Sequence, residues 1–355
     1  MNQISLRMRT ESEIVARLAR VIPSVIGASA TARGHPKARR DASGVALGIG
    51  DDAAVIRASR GRDWVVSTDA FLEGRHFLAR LHPAVAVGYK ALARAVSDLA
   101  AMGATPRYFL LTLALPAGKA GQWLEDFARG MAGAARVFRM KLIGGDVSRD
   151  ERVAAAVTVI GEAQRGRVLT RSGGRPGDVL FVSGRLGAAQ AGLESFERRG
   201  MRALREYSHA LDRHLKPIPR LALGCWLAEH RVASAAMDIS DGLSTDLARL
   251  CTASGVGAEI HAAALPVAGD ERPGARRIAT ARGRAAELRR ALEGGEDYEL
   301  LFSVPRRQVS RVPQNFRGVP LTRIGELTLR RGVRLEVNGR TRALRPGGWE
   351  HFGAR

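Results

Sequence analysis

Apolar and polar positions follow two periods along the chain, and the switches between them mark out strands and helices. Residues 45–49 and 64–66 are short apolar runs. The first closes in Gly50-Asp51-Asp52 and the second in Ser67-Thr68-Asp69. That pattern predicts buried strands whose C-terminal ends present acids to a shared crevice. From 83 to 103, Val85, Tyr89, Leu92, Val96 and Leu99 recur at helical spacing, with Gly103 as C-cap and Pro106 as a stop. Residues 108–115 read as a strand, 122–139 as a helix, and 141–143 as a short strand ending in Gly144-Gly145-Asp146. A further strand follows over 153–160. Upstream, Glu11, Ile14, Leu18 and Val21 have helical spacing, and the Gly/Pro/Arg-rich stretch 28–43 reads as a surface loop.

Residues 164–178 are rich in Gly, Pro and Arg and read as a hinge, so the expected organisation is 1–163, a hinge, and 179–355. The second half opens with a strand over 179–182. The turn Ser183-Gly184-Arg185-Leu186-Gly187 follows, a short Gly-x-x-Gly match able to hold a phosphate at the helix of 188–196. A helix after Pro217 and Pro219, a strand over 235–239 and a helix over 243–254 come next. Strands over 298–304, 321–324 and 333–337 complete the half, with a partly helical, solvent-facing segment over 271–290. Alternating elements in both halves predict an α/β protein of two domains with mixed, α+β-like sheets.

The 355 residues suffice for two cores, and 45% hydrophobic with 26% charged residues is a globular composition. No apolar run reaches membrane-spanning length and no signal-peptide pattern opens the chain. With only Cys225 and Cys251, a disulfide framework is not expected, which suits a cytoplasmic location. The net charge of +21 suits anionic partners. The basic residues are scattered, however, and 5% aromatics leaves little for base stacking, so solvated arginine is the stronger reading and no specific nucleic acid is expected.

Several chemistries fall away. Gly118-Lys119 has no P-loop context, and Gly48-Ile49-Gly50 runs into Asp51-Asp52 where a dinucleotide fingerprint would continue. Histidine and cysteine spacings fit no zinc site, and no nucleophile elbow occurs. What remains is a set of aspartates after strands, accompanied by Gly, Ser and Thr. Any one of them reads more readily as a cap, turn or surface acid; jointly they are oxygen-only ligands suited to magnesium, bridging substrate phosphates.

In this setting a series of motifs resembles the thiamine-monophosphate kinase family, within the ATP-binding superfamily that includes aminoimidazole ribotide synthetase and selenophosphate synthetase. The motifs are Gly48-Ile49-Gly50-Asp51-Asp52, Ser67-Thr68-Asp69 with His76-Phe77, and Tyr89-Lys90-Ala91-Leu92 through Ser97-Asp98-Leu99-Ala100-Ala101-Met102-Gly103. Ile143-Gly144-Gly145-Asp146, Leu169-Thr170-Arg171-Ser172-Gly173, Asp238-Ile239-Ser240-Asp241-Gly242-Leu243 and Gly294-Gly295-Glu296-Asp297-Tyr298-Glu299-Leu300 follow in family order. The resemblance implies a homodimer formed through the N-terminal sheet, and transfer of the γ-phosphoryl of ATP to thiamine monophosphate. It implies several Mg2+ ions held by Asp52, Thr68, Asp69, Asp98, Asp146, Asp238 and Asp241. It also implies ATP contacts from Gly145, Asp146, Arg171 and Ser240, and thiamine contacts from His76, Glu296 and Trp349. By motif position the ligand role falls on Asp52 rather than on its neighbour Asp51.

No protein nucleophile or base is expected, because a phosphate monoester with a second pKa near ~6 is already an oxyanion at neutral pH. Trp349 and His76 each also read as packing residues. Val147 stands where the family usually has threonine, and 31–43 reads as an insertion. Selenophosphate synthetase fits poorly, since no cysteine precedes Cys225. Aminoimidazole ribotide synthetase fits less well because the Gly294–Leu300 and Ser67–Phe77 motifs belong to the thiamine enzyme. A basic, non-catalytic polynucleotide binder would leave the ordered aspartates unexplained.

Overall fold

The computed structural model describes residues 20–22, 45–47, 55–56, 60–200, 202–205, 209–269 and 281–349. Of the expected N-terminal helix only Arg20 and Val21 are described, both helical; the loop of 28–43 and the Asp51-Asp52 pair lie outside the described residues. The described residues up to Leu99, with Thr105–Arg165, form one unit; Ala100–Ala104 and those from Gly166 onward form the second.

In the first unit β1 (Val45–Leu47) and β2 (Val55–Ile56) pair antiparallel. Then follow β3 (Arg62–Leu72), α1 (Ala84–Ala101), β4 (Thr105–Leu115), α2 (Gln122–Phe138), β5 (Lys141–Arg149) and β6 (Ala154–Gln164). Their four-stranded sheet has the order β3-β6-β4-β5, antiparallel except for β4 with β5. The parallel pair is joined through α2, the crossover that parallel neighbours require.

Strand β3 runs further than its apolar pattern predicts. Ser67, Thr68 and Asp69 do not follow the strand; they sit inside it, paired with Val159, Thr158 and Val157 of β6. Alternation along an edge strand with one covered face tolerates polar residues mid-strand, which an apolar-run reading cuts short. The covered face carries Val65 and Phe71 of β3, Val157 and Val159 of β6, and Leu111 and Leu113 of β4. Helix α1 lies on it, with the Arg94 guanidinium 5.1 Å from the Phe71 ring centre. Helices α1 and α2 meet closely at Gly88 and Gly130, where an added Cβ would come within 1.9 Å and 1.8 Å of a carbonyl oxygen. On the other, partly open face Tyr108 and Ile143 are buried. Trp64, Tyr108, Leu110, Ile143 and Ile160 cluster there, and Val66 is 60% exposed.

The second unit contains β7 (Val179–Ser183), α3 (Ala188–Arg199), α4 (Arg202–Arg205), α5 (His209–Leu215) and α6 (Leu221–Glu229). It continues with β8 (Ala235–Ile239), α7 (Leu243–Ser254), β9 (Gly257–His261), α8 (Ala281–Glu293), β10 (Glu299–Val304) and β11 (Asn315–Phe316). The last strands are β12 (Val319–Thr328), β13 (Gly332–Val337) and β14 (Arg340–Ala343). Their eight-stranded sheet has the order β14-β13-β9-β12-β7-β10-β8, with β11 on β12. Only β9 with β13 is parallel. Leu180, Val182, Met237, Ile239, Leu243 and Leu247 pack on one side of this sheet; Phe181, Leu223, Leu227, Leu300 and Phe302 pack on the other. Mixed sheets carrying helices make both units α/β, with the second close to an α+β arrangement. The Ala235–Ile239 strand and the Leu243–Ser254 helix have the bounds that periodicity predicts, whereas β9 and β14 carry too little apolar pattern to be read.

Candidate functional site

Two polar constellations carry the candidate residues, one in each unit. In the first, Ser67 Oγ donates to Asp98 Oδ2, joining mid-β3 to the last turn of α1. Ser67 and Asp69, two apart on a strand, share this covered face. Thr68 points the other way, accepting a hydrogen bond from Thr158 Oγ1 at 3.0 Å. Thr68 can therefore join Asp69 at a cation only through its backbone carbonyl, while Ser67, not singled out from sequence, offers its hydroxyl on the Asp69 side. After β3 the chain turns, and His76 Nδ1 accepts the Leu72 N–H at 2.9 Å while its ring stacks on Phe71. That bond leaves the neutral-ring proton on Nε2.

Gly145 and Asp146 lie within β5, not after it. Gly145 has φ of 155°, and a Cβ there would fall 1.9 Å from the Leu111 carbonyl oxygen, so the position needs glycine. Asp146 is exposed and pairs with Thr112, which alternates with the buried Leu111 and Leu113. It thus projects from the open face, opposite to Asp69, and the two stand on opposite edge strands of the sheet. A single copy of this sheet does not bring Asp69 and Asp146 to one ion.

The second constellation surrounds Ser240-Asp241, between β8 and α7. Asp246, fully buried on α7, accepts the N–H groups of Ser240 (3.1 Å) and Asp241 (3.0 Å) on Oδ2. Arg249 bridges Asp246 Oδ1 at 2.9 Å and the Asp241 carboxylate. Burial first, and the Asp241 charge second, push the Asp246 carboxyl up to about 6. Asp238 is also buried, within β8.

Two distant stretches converge here. The Glu296 N–H donates to the Ser240 carbonyl at 2.7 Å, and the Trp349 N–H donates to the Asp241 carbonyl at 2.9 Å. The tail is further fixed by Gly347 on Ser244 (3.1 Å) and Gly348 on Thr245 (3.0 Å). Backbone bonds thus join Glu296 to Ser240 and Trp349 to Asp241 within one unit. Arg171 is exposed, with its carbonyl held by Ser254 Oγ at 2.8 Å, at the opposite end of α7 from Ser240.

The Gly-x-x-Gly turn is not a vacant phosphate cradle. The buried Asp297 carboxylate already accepts the N–H groups of Gly187 (2.6 Å) and Ala189 (3.2 Å) at the start of α3. Burial pushes Asp297 up to about 7, an effect these two bonds oppose. Glu299 is structural as well, receiving Ser183, Arg213 and Arg220. Among the described residues no group of three or more His, Cys, Asp and Glu side chains is gathered to hold a metal ion. The donors are nevertheless all oxygen, and one guanidinium shared by Asp241 and Asp246 shows that this pair accommodates positive charge.

The sequence of both units matches the class of AIR synthase related proteins. The family model for the N-terminal domain of that class matches residues 50–163, and the model for its C-terminal domain matches 175–338. Thiamine-monophosphate kinase of Escherichia coli (strain K12) is 38% identical over 332 residues, covering 91% of this chain and 97% of that protein. The Bacillus subtilis (strain 168) enzyme is 34% identical over 317 residues, covering 87% and 94%. The chain belongs to the thiamine-monophosphate kinase family. Among solved structures, the enzyme from Stenotrophomonas maltophilia K279a superposes with a TM-score of 0.73 at 35% identity, covering 83% of this chain and 92% of that one. AaThiL complexed with AMPPCP and TMP superposes at 0.67 with 32% identity, covering 83% and 89%. Escherichia coli HypE, at 21% identity and a TM-score of 0.68, shares the fold.

Proposed function

We propose that this chain phosphorylates thiamine monophosphate with ATP, giving thiamine diphosphate and ADP by direct in-line transfer. The observation that carries the reading is the convergence of Glu296 and Trp349 on Ser240-Asp241. It joins the residues matched to the thiamine substrate with those matched to nucleotide and metal. Two further facts support it: relatives sharing most of their length with this chain are thiamine-monophosphate kinases, and a similar structure holds AMPPCP and TMP.

The chain's own residues divide the work. Residues 1–163 would supply Asp52, the Thr68 carbonyl, Asp69, Asp98 and Asp146 for Mg2+, with Ser67 added from the geometry. Residues 179–355 would supply Asp238 and Asp241. Bound Mg2+ would neutralise the phosphate oxygens that otherwise repel the acceptor. Ser240 and the exposed Arg171, at two ends of α7, would address different parts of an extended nucleotide; the arginine fork suits phosphate oxygens. Gly145 lets β5 lie against the Leu111 carbonyl of β4, and its backbone would contact ATP. The Trp349 ring suits stacking on the cationic thiazolium or the pyrimidine, and His76 offers Nε2. No side chain need remove a proton, because the acceptor is already an oxyanion; alignment of the two phosphates does the remaining work.

The open sheet face, with Val66 60% exposed beside a Trp64–Tyr108 cluster, supports a homodimer paired through it. In such a pair Asp146 faces the second copy. No helix among the described residues is long and apolar enough to cross a membrane. That fact and two free cysteines, one of them with its thiol pushed up to about 12 by burial, fit a cytoplasmic enzyme. The test is purified protein with ATP, Mg2+ and thiamine monophosphate, followed chromatographically. Thiamine diphosphate and ADP in equal amounts support the reading; ADP without thiamine diphosphate overturns it.

A further inference from the structure

Two neighbouring residues of α5, Arg213 and His214, each reach a carboxylate of the Gly294–Leu300 stretch. Arg213 Nη2 donates to Glu299 Oε1 at 2.6 Å, and His214 Nδ1 lies 3.2 Å from Glu296 Oε2. The His214 side chain is 2% exposed and that of Glu296 23% exposed, so a buried ring meets a partly exposed carboxylate. A proton on Nδ1 makes this contact attractive, whereas a ring nitrogen lone pair facing a carboxylate oxygen would repel it. The backbone of Glu296 is fixed independently, by a left-handed φ of 70° and by its N–H bond to Ser240. A glutamate side chain on a fixed backbone still has three torsions to sample, and the imidazole restricts them. Helix α5 lies far from Glu296 in sequence and was not singled out by any motif.

We infer that His214 is a positioning residue for the thiamine substrate: by donating Nδ1–H to Glu296, it holds that carboxylate in the orientation that meets thiamine monophosphate. The inference rests on the proposed reading of Glu296 as a substrate contact. His214 itself does not touch the substrate, and Arg213 beside it serves the structural Glu299. The same short helix therefore anchors one carboxylate for stability and orients another for recognition.

The test compares His214→Leu, His214→Gln, His214→Asn and Glu296→Gln in the full chain by steady-state kinetics with each substrate varied. Loss of one hydrogen bond to a charged group should raise KM for thiamine monophosphate about tenfold in His214→Leu, with KM for ATP and kcat within about twofold. Asparagine places an N–H near the Nδ1 position and should restore KM to within about threefold. Glutamine, whose N–H is displaced, should resemble leucine, which keeps the test intact if the leucine variant does not fold. In Glu296→Gln, adding His214→Leu should change KM less than about twofold, because the two act as one unit. An unchanged KM for thiamine monophosphate in the His214 variants, with Glu296→Gln raising it, would overturn the inference alone. Equal losses toward both substrates and in kcat would mark a purely structural histidine and overturn it too. An unchanged KM in Glu296→Gln would instead remove the reading on which it rests.

Discussion

Glu299→Gln exchanges one oxygen for an amide at the centre of a buried charge cluster. Glu299 is fully buried and its carboxylate accepts Ser183 Oγ, Arg213 Nη2 and Arg220 Nε, each at 2.6 Å. Both arginine side chains are only 13% exposed, so neither can recover its lost partner from bulk water. The new amide would also turn N–H groups toward guanidinium N–H groups. Removing one partner of a buried pair costs about 3–5 kcal/mol, chiefly as the penalty of the charge left behind. In a unit of this size that lowers the melting midpoint by roughly 10 °C. The comparison variant is Glu326→Gln, which breaks the surface pair with Arg306 (2.7 Å; side chains 38% and 67% exposed). That pair is worth at most about 1 kcal/mol. Urea and thermal unfolding of both variants, followed by tryptophan fluorescence, separate the cases. A Glu299→Gln midpoint no lower than that of Glu326→Gln would refute the reasoning that this cluster holds β7, β10 and α5 together.

Three other outcomes follow from the geometry. Asp297 is protonated in the folded state up to about 7 but ionised above about 4 when unfolded, so the stability it contributes is present below about 4 and lost as pH rises to about 7. The wild-type advantage in unfolding free energy over Asp297→Asn should therefore shrink across that window and level off above it; a pH-independent difference would contradict the burial argument. Gly145→Ala places a Cβ 1.9 Å from the Leu111 carbonyl oxygen and should weaken ATP binding at least about tenfold by calorimetry, because β4 and β5 must separate. Binding within about twofold of wild type would show the close approach to be irrelevant. Val66→Asp, on the open face, should sediment as a monomer while keeping its circular dichroism; an unchanged dimer would place the interface elsewhere.

Much of this architecture is legible in one sequence where period and burial agree. Helix α1 follows from Val85, Leu92, Val96 and Leu99, and the strand–turn–helix from Ala235 to Ser254 from a buried run, a glycine and a renewed period. Pattern is misleading where a strand has one open face: β3 and β5 continue through Thr68-Asp69 and Gly145-Asp146 because hydrogen-bonding to neighbouring strands, not apolar content, sets their length. Motif positions single out Glu296, Trp349, Ser240 and Asp241, and backbone bonds join Glu296 to Ser240 and Trp349 to Asp241. Ser67 could have been found by alternation, being two residues before Asp69. Asp246 had a local signal as well, an acid in the first turn after Gly242 with a basic residue three positions later. His214 and the Asp297 cap on Gly187 had none, since each acts across a long sequence separation that only tertiary structure closes.

Under the proposed mechanism the γ-phosphoryl group passes directly from ATP to an acceptor that needs no activation by the protein. Its most direct test is the stereochemical course at phosphorus, using ATP made chiral at the γ position with sulfur and oxygen isotopes. A single in-line displacement predicts thiamine diphosphate with inverted configuration. Retention would require two displacements through a phosphorylated side chain, and would contradict the account.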